Sequence, residues 1–82
     1  MTSDQTRTLT EIADDIIRSW GYDRINPHAR PYVDAMAALD KITDGYLNDQ
    51  GEDIVRRFLI NATTWRGPDA RRVKAELRDM LP

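Results

Sequence analysis

The sequence predicts an all-α fold, a compact bundle of four short helices. Apolar residues recur at helical spacing in four segments, and in none do they alternate as in a half-buried strand. Capping sequences precede two of these segments, and Gly or Pro residues separate them. At 82 residues the chain makes one domain with a small core. We expect a disordered polar tail at 1–7, a single helical domain at 8–82, and helices at about 9–20, 31–44, 50–64 and 68–80.

The first predicted helix has signals at both ends. Thr8 and Glu11 have the spacing of a capping box, in which each side chain bonds the backbone amide of the other residue. Gly21 follows the helix and is able to adopt the positive φ of a helix end. The apolar residues between these signals share one stripe: Leu9, Ile12, Ala13, Ile16, Ile17 and Trp20.

The second predicted helix follows a linker of residues 21–31 that contains two prolines. Pro31 suits the first turn of a helix, because the backbone N–H that proline lacks would have no partner within the helix there. We expect the helix to end near Gly45. Its inward-facing residues are predicted to be Tyr32, Ala35, Met36, Leu39, Ile42 and Tyr46.

The third and fourth helices form a predicted hairpin. Asp49 and Glu52 provide a second capping pair at the start of the third helix. Gly67 separates the two helices, and Pro68 with Asp69 begins the last one. The third stripe is Ile54, Val55, Phe58, Leu59, Ala62 and Trp65, and the fourth is Ala70, Val73, Leu77, Met80 and Leu81. The residues predicted to be structurally most important are Trp20, Phe58, Trp65 and Gly67.

Charge is divided between the two parts of the chain. Residues 1–55 hold five basic and eleven acidic residues, whereas residues 56–82 hold seven basic and three acidic ones. Such a basic part either folds back onto the acidic part or meets an acidic partner. Without Cys there is no disulfide or thiolate metal site, and no apolar run has the length of a signal peptide core or a membrane span. We expect a cytoplasmic protein with no membrane association.

A basic stripe on the last helix is the first candidate site. Arg71, Lys74 and Arg78 line one flank of that helix, since they are three and four residues apart. Arg72 lies elsewhere on the helix, where we expect Glu76, with Asp69 and Asp79 nearby, to compensate its charge. The stripe either faces a partner with phosphates or carboxylates, or pairs within the fold with Asp40, Asp44, Asp49 or Asp53, or is simply solvated.

Ile60 is the second candidate site, because it points away from the apolar stripe of its helix. Its neighbours on that face include Arg56 and Arg57. An exposed isoleucine flanked by arginines is a candidate anchor for a partner protein. One alternative is that Ile60 is a singly exposed apolar residue, which is normal on protein surfaces. Another is that the third helix is buried on all sides and Ile60 belongs to the core.

The sequence offers no catalytic or metal-binding motif. His28 lies in the linker between Pro27 and Ala29, and no nucleophile is placed beside it. The acidic segment 40–53 has Ile42 and Gly51 where a calcium loop requires ligands, so we interpret it as a helix cap with solvated carboxylates. We therefore predict a protein that is not an enzyme and has no cofactor or metal.

Two segments resemble short, uncharacterised helical proteins encoded by phages and prophages. They are FLINATTWRG at 58–67, followed by ARRVKAEL at 70–77, and YVDAM at 32–36. The resemblance implies an all-helical fold and a viral setting, and it carries no known activity. Ala70 and Ala75 are small residues that we expect to let the last helix approach the bundle closely.

These observations lead to two functional hypotheses. The first is a non-enzymatic accessory protein of phage or prophage origin that acts in the host cytoplasm. It binds and modulates a host or viral protein, and a chain with so small a core is also a candidate for a homodimer. The alternative is a nucleic-acid-binding protein that uses the basic stripe. The candidate partner-binding residues are Arg56, Arg57, Ile60, Arg71, Lys74 and Arg78.

Overall fold

Four helices and one very short β-ladder make up the fold. A computed structural model describes residues 7–46 and 49–81. The helices are α1 (Leu9–Trp20), α2 (Arg30–Ala37), α3 (Gly51–Asn61) and α4 (Pro68–Met80). A 3₁₀ turn (Tyr22–Arg24) follows α1, and the strands β1 (Gly45–Tyr46) and β2 (Asp49–Gln50) pair antiparallel before α3. The predicted all-α bundle is confirmed.

The first helix begins and ends where the sequence predicts. The Thr8 hydroxyl accepts from the Glu11 amide at 3.1 Å, and the Glu11 carboxylate accepts from the Thr8 amide at 2.8 Å. Both halves of the capping box are thus present. Gly21 has φ of 90°, and its amide bonds the Ile17 carbonyl at 2.9 Å. Local sequence signals are sufficient here because each partner lies within four residues.

The second helix is shorter than predicted, and Gly45 does not end it. It stops at Ala37, because the next carbonyls are bonded by α1 rather than by the following turn. The Asp40 carbonyl accepts from the Leu9 amide at 2.9 Å, and the Leu39 carbonyl accepts from the Thr10 hydroxyl at 2.7 Å. The predicted end at residue 44 is therefore wrong.

The third helix also differs from its prediction at both ends. Its N-cap is Gln50, which makes no side-chain cap bond, so the predicted cap at Asp49 is wrong. Asp49 belongs instead to β2, where it pairs with Tyr46. The last helical residue is Asn61, three residues before the predicted end. The chain then turns, and the Trp65 amide bonds the Ala62 carbonyl at 3.0 Å.

The core contains most of the predicted stripe residues and two residues from the linker, and others, such as Ile17, Trp20 and Leu59, are partly buried against it. The side chain of Tyr46 lies outside the described residues. Ile25 and Ala29 are buried although the linker was not expected to contribute. Trp20 and Trp65 stack with ring centroids 5.2 Å apart, which joins the C-terminal ends of α1 and α3. Ala70 is buried as predicted, whereas Ala75 is exposed, so the prediction that Ala75 packs against the bundle is wrong. The fully buried large side chains are Phe58, Leu9, Ile12, Ile16, Ile25, Met36, Ile54, Leu77, Val33, Val55 and Val73.

Gly51 has no room for a side chain. A Cβ atom placed on it would lie 2.5 Å from the backbone oxygen of Ile42. Its amide also bonds the Asp44 carbonyl at 2.7 Å, so the backbone here has little freedom to move away. This close approach holds the 40–46 segment against the start of α3.

We predict that Gly51→Ala destabilises the protein. Alanine favours helices over glycine, but the contact with the Ile42 carbonyl forces backbone movement that costs about 1–3 kcal/mol. The free energy of unfolding from urea titration measures the effect. Gln50→Ala is the matched control, since Gln50 is exposed and makes no cap bond, and it is expected to change stability by less than about 0.5 kcal/mol. Equal stabilities of the two variants would contradict the close approach.

Candidate functional site

One flank of α4 is joined to α1 by a network of charged side chains. Arg7 donates to Glu76 at 3.0 Å and to Asp15 at 2.9 Å. Arg72 donates to Asp15 at 3.0 Å and to Asp69 at 3.3 Å. The predicted pairing of Arg72 with Glu76 is therefore wrong, because the partner of Glu76 is Arg7. The cations on this flank are neutralised within the fold.

Asp15 is the carboxylate shared by this network. The Arg72 guanidinium, together with hydrogen bonds from Arg7 and Ser19, holds the pKa of Asp15 well below its usual value. In turn, hydrogen bonding to Glu76 raises the pKa of Arg7. Arg7 is thus part of the folded domain although the sequence places it in the tail; residues 1–6 of that predicted tail lie outside the described residues.

The opposite flank of α4 carries the predicted basic stripe, and its three members differ. The Lys74 ammonium turns inward and donates to the Trp65 carbonyl at 2.6 Å. Burial lowers the pKa of Lys74, and the nearby positive charges of Arg78 and Arg66 lower it further. Arg71 and Arg78 are exposed, and neither side chain makes a hydrogen bond or ion pair with another described residue. Two cations of the stripe therefore face outward, and the third bonds a backbone carbonyl of the segment that follows α3.

Internal pairing of this stripe with the acidic segment is not observed among the described side chains. The Lys74 ammonium bonds a backbone carbonyl, and the described ion pairs of α4 lead to α1 or stay within α4. Within the segment, Asp44 accepts from the backbone amide of Lys41 at 3.0 Å. The side chain of Asp49 lies outside the described set. None of the remaining described carboxylates, Asp40, Asp44 and Asp53, pairs with the basic stripe. Arg71 and Arg78 of that stripe face outward instead.

The outer face of α3 exposes an isoleucine. Ile60 is 71% exposed, so the alternative that it belongs to the core is wrong. Arg56 lies on the same face, where Glu52 at 3.7 Å and Asp53 at 3.9 Å hold its guanidinium along the helix. Arg57 is exposed as well. The face thus combines one apolar side chain with two arginines.

A surface groove of about 440 Å³ lies beside the start of α1 and was not predicted. The sequence places Ile42 inside a helix, whereas the shorter α2 leaves it in an irregular segment at the groove. Ile42 and Met80 supply apolar lining, and Arg7 and Asp40 supply charged groups. The full lining is Arg7, Thr8, Asp40, Lys41, Ile42, Thr43 and Met80.

The described residues contain no constellation for catalysis or metal binding that we recognise. His28 is exposed in the linker, and its amide is held by the Asn26 side chain at 2.9 Å. Within residues 7–46 and 49–81, no three His, Asp or Glu side chains cluster as metal ligands would. No helix in this part of the chain is long and apolar enough to cross a membrane.

The chain matches no protein-family model, no curated protein and no solved structure. Two exposed surfaces of the described residues are therefore the candidate functional sites. These are the outward pair Arg71 and Arg78 on α4, and the face of α3 around Ile60.

We predict that the charge network makes stability depend on pH in the acid range. The pKa of Asp15 is lowered in the fold, so its contribution is complete above its unfolded value near 3.8 and is lost as pH falls below it. Asp15→Asn should cost about 1 kcal/mol at pH 7 and flatten the loss of stability between about pH 4 and 2.

Urea unfolding of both proteins at a series of pH values measures this effect. Asp14→Asn is the matched control, because Asp14 is exposed and its partner Arg18 lies on the same helix. Parallel acid profiles for the wild type and Asp15→Asn would contradict the role of Asp15.

Proposed function

We propose that this protein is a small, non-enzymatic accessory protein that binds and modulates another protein. The observation that supports this proposal is the 71% exposure of Ile60 on a helix whose opposite face is buried. Ile60 is the proposed anchor, and the arginines on the same face surround it. This set of residues (Arg56, Arg57 and Ile60) is called the Ile60 face below.

The chemistry of the Ile60 face suits a protein partner. Burying an isoleucine side chain contributes roughly 1.5–3 kcal/mol, which is the magnitude of an interface hot spot. Arginine is enriched in protein interfaces, because its stem packs on apolar surface while its guanidinium bonds carboxylates and carbonyls. Glu52 and Asp53 hold the Arg56 side chain along the helix, which reduces the entropy lost when a partner docks.

The proposed setting rests on the resemblance to phage and prophage proteins, which supports action in a host cell. The proposal places the protein in the host cytoplasm, where it acts on a host or viral protein. Short accessory proteins of this kind need a docking surface more than a catalytic cleft, and the described surface offers the former.

Nucleic-acid binding is the less favoured function. It depends on the basic stripe, and only two of its three members face outward, since the Lys74 ammonium is bonded to Trp65. Binding to the phosphate backbone gains affinity with each phosphate that a cation neutralises, and two outward cations offer few such contacts. The chain also has a net charge of −2, which repels a polyanion at long range.

We predict that Ile60→Asp abolishes binding of the partner protein and leaves the fold intact. Ile60 is exposed, so the substitution should change the free energy of unfolding by less than about 1 kcal/mol. Placing a carboxylate in a desolvated contact should weaken binding by about 100-fold or more. Affinity capture from native host cells, quantified by mass spectrometry, measures the loss.

Ala37→Asp is the matched control for this experiment. Ala37 is exposed on α2, so the variant adds the same charge away from the Ile60 face. A protein retained by the wild type and the control but lost by Ile60→Asp is the expected result. If every protein captured by the wild type is also captured by Ile60→Asp, the anchor role of Ile60 is refuted.

The same face is the expected contact if the partner is a second copy of the chain. Sedimentation equilibrium at about 10–100 µM should then show dimers for the wild type, and Ile60→Asp should be monomeric. A monomeric wild type over this range, with a melting temperature independent of concentration, would contradict self-association.

A further inference from the structure

The exposed surface of α4 contains a narrow ridge with a small residue at its centre. Arg71, Ala75 and Arg78 are four and three residues apart, so their side chains lie on one stripe of the helix. All three are exposed. Neither arginine side chain bonds another described residue, and Ala75, predicted to face the bundle, faces solvent. These three residues are called the α4 ridge.

The orientation of α4 leaves this ridge free. On one side of the helix, Arg72 and Glu76 are joined to Asp15 and Arg7 of the α1 side. Towards the other side, the Lys74 ammonium turns inward to Trp65. The guanidiniums of Arg71 and Arg78 therefore project from the helix with no internal partner among the described residues. Between them lie Lys74, whose ammonium turns inward, and the exposed Ala75.

We infer that the α4 ridge docks an acidic helix of a partner protein. This inference rests on the proposed protein-binding function, and it adds a second surface and the chemistry of its partner. Residues seven apart on a helix are separated by about 10 Å along the axis. Carboxylates seven apart on a partner helix repeat at that same distance, so two of them meet Arg71 and Arg78 when the helices lie side by side.

Ala75 provides the room that such docking needs. Helices pack with axes about 8–10 Å apart, and the shorter separations require small residues at the contact. An exposed alanine between two arginines lets a partner helix approach while both guanidiniums reach around it. Guanidinium groups bond carboxylates through two parallel hydrogen bonds, which fixes the register of the pair as well as its charge.

A nucleic acid is a poorer match to the same ridge. A phosphate backbone is a continuous row of charge and gains affinity from many cations, whereas the ridge offers two. The exposed carboxylate of Asp79 lies four residues beyond Ala75, so it stands beside the ridge on the outer surface of α4. A partner helix with a basic residue opposite Asp79 uses this charge, but a uniform polyanion is repelled by it.

Two labelled peptides test the inference by fluorescence anisotropy at low salt. Both are alanine-rich helices of about 20 residues with the same composition and net charge. One carries its glutamates on a single stripe at four- and three-residue spacing, and its isomer distributes them around the helix. The stripe peptide should bind the full chain about tenfold more tightly than the isomer. Equal affinities, or no binding of the stripe peptide at about 1 mM, would overturn the inference.

Substitutions in the ridge locate the binding. Arg71→Glu combined with Arg78→Glu should weaken the stripe peptide by more than about tenfold, and Ala75→Gln by about fivefold because of lost close approach. The matched controls are Arg24→Glu combined with Lys41→Glu, and Ala37→Gln, all at exposed positions outside α4. Circular dichroism verifies that each variant is folded. Ridge variants that bind like their controls would place the peptide elsewhere and contradict the ridge.

Two further measurements separate the inference from its alternatives. A DNA duplex of about 20 base pairs that binds more tightly than the stripe peptide, and is weakened by Arg71→Glu combined with Arg78→Glu but not by Ala75→Gln, would assign the ridge to nucleic acid. Ile60→Asp should leave the affinity for the stripe peptide unchanged, since Ile60 lies on α3. If the stripe peptide binds but no captured protein depends on Ile60, the Ile60 face alone is contradicted. If a captured protein depends on Ile60 but the stripe peptide does not bind, the ridge alone is contradicted.

Discussion

Asp15 is the carboxylate through which the ion pairs of α4 reach α1. This one carboxylate accepts hydrogen bonds from Arg7 and Arg72, and it is held by Ser19 on its own helix. Val73 and Leu77 are buried in the core, and the bonds from Arg72 to Asp15 join one flank of the helix to α1. Because one flank is neutralised there, the cations of the other flank are left to the solvent. The proposed binding surface of α4 lies on the part of the helix that this ion network leaves exposed.

The division of charge along the chain has a local explanation rather than a global one. The basic part does not fold onto the acidic segment as a whole. Arg7 and Arg72 share Asp15, and Arg56 pairs with Glu52 on its own helix. Lys74 is used as a cap for a backbone carbonyl. The positive charge that reaches the surface is therefore concentrated at a few positions, and each is placed by a specific contact of its neighbours.

The prediction of secondary structure from sequence succeeded where partners are close in the chain. The ends of α1 are set by Thr8, Glu11 and Gly21, whose bonds span at most four residues. It failed at α2, where the carbonyls of Leu39 and Asp40 bond the first turn of α1. No local pattern records that competition. The same applies to Gly51, whose missing side chain is explained by the backbone of Ile42 and not by its own conformation.

The candidate surfaces were predictable to different degrees. Sequence periodicity alone placed Ile60 opposite the core, and it placed Arg71 and Arg78 on one flank of their helix, because both conclusions follow from helix geometry. The roles of Lys74, Arg72 and Ala75 could not be obtained in this way, since each depends on what an adjacent helix brings within reach. The sequence by itself determined the helices and the inward face of each. Only the tertiary structure decided which charges are paired, because an ion pair requires two side chains within about 4 Å, and periodicity on one helix says nothing about the distance to the next.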